Sequence, residues 1–174
     1  MASALEGQYL KKDNSNIVIR KWEESDLENM SKLLRKVTET QDYPEQCLDI
    51  ESLRKDMFGT QVWLYGYLAE VVIQGEAVSI GIAVANLSYN LSRVLSITIL
   101  YILPDWRNKG VGRGLLDAMK QFAISLKCKF IHWTDEYKNT IVTNISKKKA
   151  DYTQPHWIMY TMNEADMEKL LKPS

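Results

Sequence analysis

A strand-like run from Val94 to Leu103 leads into Arg107-Asn108-Lys109-Gly110-Val111-Gly112, and a helix-like run from Leu115 to Leu126 follows. No other stretch restricts the chain as much, because a strand that turns on glycines into a helix builds a place for an anion. Without Cβ atoms at 110 and 112, consecutive backbone N–H groups can converge on one point, with the positive end of the helix dipole behind them. The arrangement suits a pyrophosphate. Arg107, Lys109 and Arg113 supply countercharge around it, and Asn108 and Val111 complete the turn.

Glycine-bearing strand-to-helix turns also arise for structural reasons alone, so the competing motifs have to be separated. A Walker loop ends in Gly-Lys-Ser or Gly-Lys-Thr, whereas this chain reads Gly112-Arg113-Gly114. A Rossmann fingerprint starts on Gly and has an acidic residue about 20 residues on, at the end of a second strand. Here Arg107 holds the first position, and the next strand-like run, Lys129 to Trp133, comes too late and ends in Thr134-Asp135. What remains is (Gln or Arg)-x-x-Gly-x-(Gly or Ala), the acyl-CoA loop of the Gcn5-related N-acetyltransferases (GNAT), which these residues resemble at every fixed position.

The wider composition is that of one globular domain. Of the 174 residues 45% are hydrophobic, enough for a core of ordinary size, and no break in composition marks a second domain. Lys and Arg number 22, as do Asp and Glu, so the chain lacks the basic excess of a nucleic-acid binder. The two cysteines, Cys47 and Cys128, have no CxxC spacing, which points to a reducing, cytoplasmic setting and away from structural zinc, and no metal is expected. No apolar run reaches the ~18 residues of a membrane span. Residues 1–16 are polar and aperiodic, so a mobile arm is expected there, with a single domain over 17–174.

Periodicity predicts the elements in order. Ile17 to Trp22 alternates as a strand, and Glu23-Glu24-Ser25-Asp26 opens a helix with Leu27, Met30, Leu33 and Leu34 on one face. A second helix covers Asp49 to Met57 and stops at Phe58-Gly59. Gln61 to Val72 and Val78 to Leu87 read as strands joined at Gln74-Gly75-Glu76, followed by the strand Arg93 to Leu103. The helix after the glycines carries Val111, Leu115, Leu116, Met119, Phe122 and Ala123 at helical spacing. Lys129 to Trp133 reads as a buried strand, Trp157 to Met162 as the last strand and Glu164 to Leu171 as a short helix. Residues 135–149 are ambiguous, since Thr140-Ile141-Val142-Thr143 is β-branched at a place where a helix is expected.

This β-α-α-β-β-β-α-β-α-β order resembles the GNAT fold, an α/β (α+β) architecture in which a mixed central sheet with two splayed strands is flanked by helices. The resemblance implies acetyl-CoA as cofactor, with its pantetheine along the backbone of Tyr101, Ile102 and Leu103. Its pyrophosphate would then cap the helix at Gly110.

From Ile19 to Leu170 the chain more specifically resembles the spermidine/spermine (diamine) N-acetyltransferases. The correspondences are Tyr43 to Gln46 before a helix ending Asp56-Met57-Phe58-Gly59, then Leu68-Ala69-Glu70-Val71, Gly81-Ile82-Ala83, Ser88-Tyr89-Asn90 and Pro104-Asp105-Trp106-Arg107. His132 and Trp157 also match. The resemblance implies transfer of acetyl to a primary amine of a small molecule or peptide, by direct attack, in a homodimer. It places Asp42, Tyr43, Glu45, Tyr89, His132 and Trp157 near the acceptor and Asn139 near the cofactor.

Two departures fall where the family keeps its catalytic groups. The family's Tyr acid, seven residues after an Asn, is Ser146 when counted from Asn139, and its Leu-Glu-Asp run is Ile97-Thr98-Ile99. A serine hydroxyl is shorter and less acidic than a phenol, and the missing carboxylates cost a cationic substrate two partners. Ser146, Tyr137 and Tyr152 are the candidate acids, and Thr98 stands in the catalytic strand. Two readings stay open: an acetyltransferase with a different amine, or a silent module that binds acetyl-CoA or a protein. His132, His156, Tyr89, Tyr101, Asp42 and Glu45 also have ordinary structural roles available, and Lys147-Lys148-Lys149 reads as a solvated helix end.

Overall fold

Alternating apolar residues, closed by short turns, build one sheet. The computed structural model describes residues 8–12, 15–40, 49–89 and 91–133, all within Met1–Thr134, the first of two units into which the chain divides. The strands are β1 (Gln8–Lys12), β2 (Ser15–Lys21), β3 (Tyr65–Ile73), β4 (Glu76–Tyr89), β5 (Arg93–Ile102) and β6 (Phe130–Trp133). They lie side by side in chain order, antiparallel except for the parallel β5–β6 pair. That one parallel step needs a crossover, which the helix α3 (Val111–Ser125) provides. Between β3 and β4, Gln74 and Gly75 both take positive φ, 53° and 87°, the two-residue turn whose twist matches that of the strands it joins.

Helices cover the two faces. On one side α1 (Leu27–Thr40) and α2 (Ile50–Phe58) press Leu27, Met30, Leu33, Leu34, Leu53 and Met57 onto Trp22, Leu68, Ile82 and Val84. On the other, Val111, Leu115, Ala118, Met119 and Ala123 of α3 pack on Ile17, Ile19, Ala83 and Leu95. Side chains as fully enclosed as Met30, Ile82 and Leu115 each contribute roughly 2 kcal/mol of burial. Gly66 makes the first contact possible, since a Cβ there would overlap the ring of Trp22 and the carbonyl of Ala83.

The helix ends are held locally. A 3-10 turn, Glu24–Asp26, precedes α1, and the Asp26 carboxylate accepts the Glu23 N–H at 2.7 Å. The same carboxylate takes both terminal nitrogens of Arg20 at 2.7 Å, while Glu70 of β3 takes Arg20 Nε and Nη2 at 2.7 and 2.9 Å. Asp49 starts α2 by accepting the N–H of Ser52 at 3.0 Å. At the end of α3, Lys127 is left-handed and the Cys128 N–H returns to the Ala123 carbonyl at 2.9 Å, with Arg93 Nη1 on the Leu126 carbonyl.

Three expectations are corrected. Residues 1–16 are not wholly an arm, because Gln8–Lys12 pairs along β2 from Gln8 opposite Ile19 to Lys12 opposite Ser15. Backbone pairing holds that polar strand, and no apolar alternation announced it. The strand expected from Gln61 begins only at Tyr65, because the N–H groups of Trp63 and Leu64 turn back to the Asp56 carbonyl at 2.7 and 3.1 Å. β6 is not buried throughout. Ile131 and Trp133 pack toward the α3 layer, but Phe130 and His132 are exposed. The segment 135–149, the strand Trp157 to Met162 and the helix Glu164 to Leu171 lie outside the described residues.

Candidate functional site

The site is assembled where β5 gives way to α3. Leu103 makes the last sheet bond, its N–H to the Ile80 carbonyl at 2.9 Å, and a 3-10 turn, Pro104–Trp106, follows. Asn108 is left-handed at φ 61°, and Gly110 again at φ 85° as the residue before the helix. The first intrahelical bond runs from the Gly114 N–H to the Gly110 carbonyl at 3.0 Å. The N–H groups of Val111, Gly112 and Arg113 come before it and no side chain caps them, so the helix offers three donors and its positive pole to an anion.

The two glycines serve different ends. A Cβ at Gly110 would meet nothing within 4 Å, so the requirement there is the left-handed backbone. At Gly112 a Cβ would come within 3.2 Å of Ile102 Cδ1, so that glycine keeps the helix close to the strand.

Of the cations expected as countercharge, Arg107 and Lys109 brace the turn. Arg107 donates Nε to the Ile102 carbonyl at 3.1 Å, and the Lys109 ammonium lies 4.7 Å from the centre of the Trp106 ring. Arg113 is 74% exposed and 3.8 Å from Asp117. Each adds positive charge beside the uncapped helix end.

Along β5, pairing with β6 covers only Val94 to Ile97, the latter opposite Trp133. Among the described residues no strand pairs with Thr98 to Ile102 on that side, where Arg107 Nε sits on the Ile102 carbonyl. The Leu103 N–H faces β4, and so by alternation do the polar groups of Tyr101, which turns the N–H and C=O of Leu100 and Ile102 toward the free edge. A chain with amides, laid as an extra strand, would find donors and acceptors there and would end at Gly110. Tyr101 faces the α1–α2 layer, and Leu103 packs at the margin of both layers.

Thr98 is the extra residue of a β-bulge: Val84 is opposite Ile99, Ala85 is opposite Ile97, and Thr98 has no partner of its own. Its hydroxyl donates to the Val84 carbonyl in a long bond of 3.4 Å. The proton is thereby engaged, so Thr98 marks the opening of the edge and offers a lone pair rather than an acid.

The expected acceptor residues fare unequally. Tyr89 ends β4 at 77% exposure, five residues beyond Val84, about 17 Å along the strand at ~3.3 Å per residue. The structure therefore does not bring it to the bulge. His132 sits opposite Ser96, next to the edge, with its ring stacked on Phe130 at 6.2 Å. Asp42, Tyr43, Glu45, Tyr137, Asn139, Ser146, Tyr152, His156 and Trp157 lie outside the described residues. Missed in the sequence were Asn86 and Ser96, which face each other across β4 and β5 beside His132. The alternation Asn86-Leu87-Ser88 was the available signal, since it puts polar side chains on the face where Ile82 and Val84 are buried.

A strand with an unpaired edge, leading to an uncapped helix N-terminus, offers hydrogen-bonding groups to an extended amide chain and an anion. The comparisons sharpen the class. Residues 27–146 match the model of the acetyltransferase (GNAT) family. The chain belongs to that family, and acetyl-CoA is its acyl donor. A curated relative, the thialysine N-epsilon-acetyltransferase of Bos taurus, is 26% identical over 120 residues, 64% of this chain and 70% of the relative. Among solved structures, an integron cassette protein from the mobile metagenome of V. cholerae superposes with a TM-score of 0.71 at 16% identity, over 90% of this chain and 98% of the other. An aminoglycoside N-acetyltransferase in complex with CoA gives 0.69 at 21% identity, over 88% and 99%. At those identities the structures speak for the fold, and the sheet with its flanking helices is that of the acyltransferases.

Proposed function

We propose that this chain acetylates the primary amine of a small acceptor by direct attack, in a single domain. The observation that carries the reading is the free edge of β5 from Thr98 to Ile102 ending at the three open N–H groups of α3. When bound, acetyl-CoA supplies an acetyl thioester whose C–S bond breaks as the amine forms the new C–N bond. The N–H groups of Val111, Gly112 and Arg113 would bind its diphosphate, with the charges of Arg107 and Lys109 beside them. Leu100 and Ile102 would orient the amide arm, so that proximity does much of the work. Ser146 or Tyr137 would return a proton to the departing sulfur, and Asn139 would stand on the cofactor side.

Support for a small amine comes from the kinship with an enzyme named for thialysine and from fold neighbours named for aminoglycosides. The resemblance to diamine acetyltransferases adds a homodimer and a cytoplasmic setting to the proposal. No helix among the described residues is long and apolar enough to cross a membrane. The test is a calorimetric titration with acetyl-CoA, followed by measurement of free CoA thiol over a panel of amines. Heat of binding with thiol release supports the proposal. Heat without release from any amine points to a donor-binding module, the reading favoured by the lack of a carboxylate at Thr98, and no heat removes both.

A further inference from the structure

Beside the open edge, on the sheet face that α1 and α2 cover further along, lies a row of polar side chains without a carboxylate. Ile82 and Val84 face those helices and are buried, and Asn86 continues their row along β4. Register places Asn86 opposite Ser96, and Ser96 opposite His132. Cross-strand partners share a face, so the three stand side by side. The Ser88 and Ser96 hydroxyls lie 3.0 Å apart, and Phe130 stacks on His132 on the same side. Among the described residues, Asn86 Oδ1 is buried and has no hydrogen-bond partner. A buried acceptor left unpaired is costly, so it is retained where something else satisfies it.

We propose that this row is the acceptor subsite, and that it selects an amine carrying an uncharged hydrogen-bond donor, such as a hydroxyl, in preference to a second ammonium. The inference rests on the function proposed above. Ser96 is two residues before Thr98, where the edge opens, so the subsite lies ~7 Å along the strand from the point of transfer. An amine with its nitrogen at Thr98 and a hydroxyl at that distance would donate to Asn86 Oδ1 and exchange hydrogen bonds with the serine pair. None of the four side chains is a carboxylate, so a second ammonium would find no ionic partner there. A site built to pair with a neutral donor rejects the analogue it cannot pair with far more strongly than an apolar pocket would.

Aminopentanol and cadaverine, of nearly equal length and differing in the distal group, test this with acetyl-CoA and thiol release as readout. The expected result is a kcat/KM for aminopentanol at least about tenfold above that for cadaverine. Asn86→Asp should reverse the order by restoring a charge partner, and Ser88→Ala, at an exposed position, should lower only the aminopentanol value. Wild-type preference for cadaverine, or an unchanged ratio in Asn86→Asp, would overturn the subsite. So would failure of aminopentanol to give heat with protein that binds acetyl-CoA. Absence of acetyl-CoA binding would instead remove the proposed function, and the subsite with it.

Discussion

Gly110 and Gly112 look equivalent in sequence and should respond differently to the same methyl group. At Gly110 the backbone is left-handed, φ 85° and ψ −4°, and nothing lies within 4 Å of a new Cβ. The cost of Gly110→Ala is therefore the dihedral alone, about 1–2 kcal/mol. At Gly112 the new Cβ would meet Ile102 Cδ1 at 3.2 Å, the mobile end of a side chain. Alanine also gains up to ~1 kcal/mol over glycine inside a helix, which offsets that crowding. Gly112→Ala should thus be close to neutral. Urea titration would read the difference directly, and a melting curve would show Gly110→Ala lowered by about 3–6 °C. Gly110→Asn should recover part of the loss, because Asn tolerates the left-handed region better than alanine does. Equal losses at the two positions, or a larger one at 112, would show that bulk and not backbone shape limits this turn.

Two further outcomes concern the frame. The Arg20 guanidinium holds the Asp26 carboxyl below the usual carboxylate range against the upward push of burial. Asp26 therefore stabilises the fold above its unfolded pKa of ~3.9, and that stability is lost as pH falls through the lower native value. Asp26→Asn should cost about 2 kcal/mol at neutral pH. The gap between variant and wild-type urea midpoints should close as the solution is taken below about pH 4, and a constant gap would refute the linkage. Gly66→Ala should cost about 3 kcal/mol through overlap with Trp22 and the Ala83 carbonyl. An unchanged midpoint would mean that the ring of Trp22 can pack elsewhere.

Much of the frame could be read in advance because its signals are local. The alternation in β2 to β5 and the helical spacing of Leu115, Met119 and Ala123 report which face is buried, and tertiary structure agreed. The anion turn was legible for the same reason, as Gly110 declares a backbone shape by itself. β1 was missed because edge pairing in a polar strand leaves no apolar period. The bulge at Thr98 was equally hidden, since Ser96-Ile97-Thr98-Ile99 alternates without a break and only the partner strand shows that one residue is surplus. Asn86 and Ser96 were overlooked because their meaning depends on register between strands. Tyr89 makes the complementary point that adjacency to a matching motif says nothing of distance along a hairpin.

The surplus residue at Thr98 reaches beyond the edge it opens. Before it, Leu95 and Ile97 pack with α3; after it, Ile99 and Tyr101 pack with α1 and α2. Were β5 to lose that one residue, every later side chain would swap layers, and the carbonyl that anchors Arg107 would swing from the groove to β4. The parity of a single strand thus ties the composition of both cores to the direction in which the carrier's rail faces, and neither could drift in evolution without the other.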